Sequence, residues 1–221
     1  MSKKTVTTVT DHESPALRRG RLAFGIDATA SRAPTWAIAS KIQADMFRSA
    51  APIGQLFVKL IFYRGSPTPE HAAADERGQC LKTQWVISGE QLTRSMQKIE
   101  CVSGLTQIDR IMEHVLHEIA HEPVAALVFI GDAMEEDLSK LSLLASELGA
   151  RNTPMYLFQE GDDPAVRKAF QLLAQKSGGK YFEFNPAAAH AVEQLSDQLN
   201  AIARLAVGDD TAVQLLEKRK S

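Results

Sequence analysis

A chain of 221 residues is long enough for one sizeable domain, and at 44% hydrophobic and 24% charged it has the composition of an ordinary globular protein. Lys+Arg total 25 and Asp+Glu total 27, a formal charge of -2 that argues against a global electrostatic footprint for nucleic acid or an anionic membrane. No window approaches the ~18 consecutive apolar residues that would span a bilayer. The two cysteines, Cys80 and Cys101, cannot build a disulfide framework, and the N-terminal stretch lacks the apolar core of a secretory signal, so a cytoplasmic setting is expected.

In chain order, residues 1–20 are polar and rich in Thr, without helical or strand periodicity, and read as a disordered tail. The fold is expected over 21–206, with 207–221 as a C-terminal tail. Apolar runs at Leu22–Ile26, Leu56–Tyr63, Val124–Ile130, Pro154–Phe158 and Tyr181–Phe184 read as strands separated by amphipathic stretches. Trp36, Ile42, Met46 and Phe47 mark one helix. Between Arg64 and Gln84, Pro, Gly and charged residues predict a long exposed connection leading to a short edge strand at Trp85–Ile87. A further helical stripe runs through Ile108, Ile111, Met112, Val115, Leu116 and Ile119, and another through Leu138, Leu141, Leu144, Ala145 and Leu148. Asp163-Pro164 and Asn185-Pro186 each read as a cap followed by a first-turn proline. The run at 124–130 is apolar at nearly every position, as a strand covered on both faces must be. The fold class is therefore α/β: a Rossmann-like, doubly wound, mostly parallel central sheet with helices on both faces.

Open α/β sheets bind ligands at the carboxyl ends of their strands. Three segments converge on that edge if their strands are neighbours: Asp27, Thr29 and Ser31 directly after the first strand, Thr106 before a helix, and Asp132 after the most apolar strand. Two carboxylates and three hydroxyls are hard oxygen donors, suited to Mg²⁺ or Mn²⁺.

Asp27-Ala28-Thr29-Ala30-Ser31, Thr106 and Asp132 together resemble the von Willebrand factor A domain with its metal-ion-dependent adhesion site, over residues 21 to about 206. Thr29 stands where the family usually has serine, and Gly131-Asp132-Ala133-Met134 lacks the glycine that often follows the aspartate. The resemblance implies direct coordination by Thr29, Ser31 and Thr106, with Asp27 and Asp132 acting often through water. It implies a partner protein whose Glu or Asp carboxylate completes the coordination, because neutral hydroxyls leave the ion's charge under-neutralised. Glu135 and Glu136 could fill that position from within. The implied function is a divalent-cation-dependent protein-binding module, an intracellular adaptor or subunit of a larger assembly, and not an enzyme.

The competing reading is a metal-dependent hydrolase. His117-Glu118-Ile119-Ala120-His121 matches the zinc-protease signature H-E-x-x-H. Its own helix argues against it: at ~100° per residue, His117 and His121 lie opposite the apolar stripe, facing solvent alongside His114. Asp27→Ala separates a binding module from an enzyme dependent on His117 or Glu118.

Overall fold

The computed structural model describes residues 18–66 and 76–217. Six strands, β1 (Arg18–Asp27), β2 (Gly54–Arg64), β3 (Gln79–Lys82), β4 (Ala126–Gly131), β5 (Met155–Glu160) and β6 (Lys180–Phe184), form one sheet in the order β3-β2-β1-β4-β5-β6. All pairings are parallel except that of β3 with β2. The helices are α1 (Ala33–Ala50), α2 (Gly89–Met96), α3 (Ile108–Ile119), α4 (Leu138–Ala150), α5 (Pro164–Ser177), α6 (Ala191–Ala206) and α7 (Val213–Glu217).

Strand alternation divides the core into two layers, because successive side chains point to opposite faces. Leu22, Phe24 and Ile26 of β1 join Val128, Ile130 and Phe158 beneath α1, α2 and α6. Ala23, Leu127, Phe129 and Leu157 pack on the other face against α3, α4 and α5. β4 is buried along its whole length. The expected doubly wound α/β architecture is thus present. The side chain of Ile42 lies outside the described residues.

Several expectations are corrected. β1 starts at Arg18, because Arg18–Gly20 pair with Gly54–Leu56 of β2; the rest of the N-terminal segment, 1–17, lies outside the described residues. The segment read as a C-terminal tail continues the fold as far as Glu217: it holds α7, and Val207 and Ala212 are buried against the body. The antiparallel edge strand is Gln79–Lys82, whereas Trp85–Ile87 contributes a single bridge, Val58 to Val86. β3 is short and mixed in polarity, pairs on one side only, and so carries no alternation to read. Asn185-Pro186 opens a turn, with the Asn185 side chain accepting from the Ala187 N–H, and α6 begins later, after His190 in the left-handed region.

Candidate functional site

The carboxyl ends of β1, β2, β4 and β5 form one edge. Asp27 ends β1 in register with Tyr63 of β2, and Gly131 at the end of β4 lies so close that a Cβ there would stand 3.6 Å from the Asp27 Cβ. Asp27 is fully buried, with both carboxylate oxygens occupied: Oδ1 accepts from the Thr29 N–H at 2.7 Å and Oδ2 from the Tyr63 hydroxyl at 3.0 Å. Burial pushes its pKa from 3.8 up to about 6, with the charge of Asp132 adding to the rise and the bonds from Thr29 and Tyr63 opposing it. Burial together with the Asp27 charge likewise holds the Tyr63 phenol well above its ordinary value.

The chain leaves β1 through a 3-10 turn, Ala30–Arg32, preceded by Thr29 in extended backbone. The Thr29 hydroxyl stands 3.1 Å from that of Ser31; Thr29 is buried and Ser31 exposed. Asp132 is half-buried, and its Oδ1 is sealed from solvent without a hydrogen-bond partner in the protein. A sealed carboxylate oxygen costs free energy unless something satisfies it.

Thr106 is buried two residues ahead of α3. Its loop is laced to the strand ends: the Val102 N–H donates to the Ala28 carbonyl and the Gly65 N–H to that of Val102, at 3.1 and 2.9 Å. Gly104 meets Gly65 so closely that a Cβ on Gly104 would lie 2.5 Å from the Gly65 Cα. The Thr106 hydroxyl donates to Glu136 Oε2 at 2.6 Å and accepts from the Glu135 N–H at 2.8 Å, while the Thr106 N–H donates to Glu135 Oε2 at 2.8 Å. Glu136 also accepts from the Ile108 N–H, satisfying a donor at the α3 N-terminus. Asp27, Thr29, Ser31 and Asp132 thus share the edge directly, whereas Thr106 is tied to the loop that follows Asp132. Beside it a cleft of about 310 Å³ is lined by Arg77, Leu105, Asp109, Glu135 and Lys140 among others.

Sequence reasoning missed Tyr63, Arg32 and Glu160. Tyr63 ends an apolar run, and only its register with Asp27 reveals a role. Arg32 is 1% exposed and ion-paired with Glu160, the last residue of β5. Burial draws its pKa down and the charges of Asp132 and Asp27 raise it. An arginine in a short loop gives no sequence signal of such burial.

The donors present are oxygens: the sealed Asp132 Oδ1 after β4 and the Thr29–Ser31 hydroxyl pair after the neighbouring β1 fit a hard divalent cation. Among the described residues no group of three or more His, Cys, Asp or Glu is placed to hold a metal, so any such site depends on its hydroxyls.

The H-E-x-x-H segment is arranged differently. His117 and His121 are exposed, their rings 5.0 Å apart, as expected from the helical stripe. Glu118 turns away from them into a charged cluster: Lys59 donates to it at 2.6 Å, Trp85 Nε1 at 3.0 Å and Arg21 at 3.3 Å, and Lys82 stands 3.8 Å away. The Arg21 guanidinium lies over the Trp85 ring at 4.0 Å. Held by these groups, Glu118 is not placed to serve as base for a water on a metal bound by the two imidazoles.

No family model and no curated protein sequence matches the chain. Solved structures do match its fold. The von Willebrand factor type A protein from Catenulispora acidiphila is 13% identical with a TM-score of 0.59, over 84% of this chain and 43% of that one. The SpRpn10 VWA domain is 12% identical with a TM-score of 0.61, over 86% and 98%. Proximal thread matrix protein 1 from the mussel byssus, with a zinc-occupied MIDAS motif, is 14% identical with a TM-score of 0.62, over 86% and 46%. This chain therefore spans less than half of the first and third of these. It has the von Willebrand factor A fold.

Proposed function

We propose that this chain is a divalent-cation-dependent protein-binding module, with Asp27, Thr29, Ser31, Thr106 and Asp132 holding Mg²⁺ or Mn²⁺. The observation that carries the reading is the sealed, unpartnered Asp132 Oδ1 beside Asp27 and the Thr29–Ser31 hydroxyl pair. A cation supplies the partner that Asp132 Oδ1 lacks, and neutral hydroxyl ligands leave it charge to offer an incoming carboxylate. The partner is accordingly a protein presenting Glu or Asp. A role as adaptor or subunit of a larger assembly, in the cytoplasm, completes the reading. Neighbours in fold support the protein-binding part of this reading alone: one is a COPII-coat protein, human Sec24c, and another a pilus adhesin, SpaC from Lactobacillus rhamnosus GG.

The test is calorimetric titration with Mn²⁺ of the wild type and of Asp27→Ala. One-to-one binding lost in the variant is the expected outcome. Heat that persists in Asp27→Ala would place the metal elsewhere, on the His114, His117 and His121 face. Capture of partners from an extract should then disappear when a chelator is added.

A further inference from the structure

Three carboxylates crowd the ends of three adjacent strands. Ile26 pairs with Ile130 and Gly131 with Gln159, so Asp132, just past β4, and Glu160, the last residue of β5, stand level, with Asp27 one residue behind them, level with Gly131. Arg32 leaves the chain just after β1, yet its guanidinium pairs with Glu160 at the end of β5. Since β4 lies between β1 and β5, the guanidinium must cross the end of β4, where Asp132 sits with its sealed Oδ1. A guanidinium does not deprotonate in a protein. A permanent positive charge, 1% exposed, is therefore built in among the carboxylates of Asp27, Asp132 and Glu160.

We propose that Arg32 is a resident cation of this edge: anchored by Glu160, it offsets the Asp27 and Asp132 charges in the metal-free protein and thereby weakens the site's hold on a divalent ion. The inference rests on the metal reading of the site and adds a determinant to it. Two like charges facing the same carboxylates repel, and in a partly buried setting that repulsion is poorly screened. The edge consequently stays assembled without metal, and metal enters against an opposing charge.

The experiment compares wild type, Arg32→Gln, Arg32→Lys and Asp27→Ala by Mn²⁺ calorimetry and by thermal melts in EDTA and in Mn²⁺. Arg32→Gln should bind Mn²⁺ about tenfold more tightly or better, melt below wild type in EDTA and recover in Mn²⁺. Arg32→Lys, which keeps the charge, should follow wild type. Equal Mn²⁺ affinity in wild type and Arg32→Gln overturns the role of Arg32 and leaves the metal reading standing. Absence of Mn²⁺ binding in every protein overturns the metal reading, and the role of Arg32 is then decided in EDTA with Asp132→Asn. A smaller loss from Arg32→Gln in that background supports charge pairing, and an additive loss refutes it. Should Arg32→Gln fail to fold in either medium, folding of Arg32→Lys supports the charge, and its failure too shows that shape rather than charge is required.

Discussion

At Asp27 a single carboxylate joins two tasks, for it closes the turn after β1 through the Thr29 N–H and receives the Tyr63 hydroxyl inside the core. Tyr63→Phe removes that donor, leaves Asp27 Oδ2 short of a partner and should cost about 1–3 kcal/mol in urea unfolding. An unchanged midpoint would mean that water replaces the hydroxyl. The exposed His117 and His121 form the contrasting case. Replacing both with Ala should move stability by no more than about 0.5 kcal/mol, and a large loss in a thermal melt would show that their ring contact matters. At this scale the sequence carried chemistry but not burial. D-x-T-x-S and Asp132 could be read as oxygen donors from type and spacing, whereas Arg32 and Glu160 are far apart in the chain and meet only because β5 lies two strands from β1.

The elements that place the edge differ in how strongly they announce themselves. β4 was legible because it is continuously apolar, β5 through its apolar run Met155–Phe158, and α3 because its stripe repeats at helical spacing over three turns. β3 and the start of α6 were not, since a short edge strand needs pairing on one side only and Asn185 forms a local turn instead of a helix cap. The connection from α2 to α3 has no regular structure, yet it sets the position of Thr106. Its fixed point is the contact of Gly104 with Gly65, backbone against backbone. Gly104→Ala should force that contact apart, lower stability by about 1–3 kcal/mol as an overpacked site does, and weaken Mn²⁺ binding through displacement of Thr106. Calorimetry on the folded variant reads the second effect separately from the first.

Across the whole molecule, the acidic edge has a counterpart midway along the sheet on its α3 face, where Arg21, Lys59, Lys82, Trp85, Glu118 and Glu122 cluster. Burial works to raise the Glu118 pKa, but the bonds from Lys59 and Trp85 and the charges of Lys59 and Lys82 outweigh it, holding the group below its ordinary 4.5. A carboxylate so depressed contributes stability that is fully present above its unfolded pKa and is lost as pH falls through the folded value. His114, drawn below its ordinary value by burial and the charge of Lys82 against the pull of Glu113 and Glu118, and Asp109, held down by Lys140 and Arg77 despite burial, act in the same direction. Asp27, raised to about 6, instead adds stability as pH falls from about 6 to 3.8. The acid loss is therefore read as the difference between wild type and Glu118→Gln below pH 4.5, where the variant should be shallower with the part due to Asp109 remaining. At neutral pH that substitution leaves Lys59 and Arg21 buried without their carboxylate and should cost about 3 kcal/mol.

The arrangement of the strands has a practical consequence for handling the protein. Arg18 begins β1 beside Gly208, and Glu217 lies against Lys180 at the start of β6. Arg18 sits at the pole opposite Asp27, about 30 Å away by the length of a ten-residue strand, whereas Lys180 is level with Phe24 of β1 by the register through β4 and β5. A biotin or dye attached at the Arg18 end of the sheet is remote from the Asp27 edge, so the protein can be immobilised on a sensor with its oxygen-lined rim facing the solution.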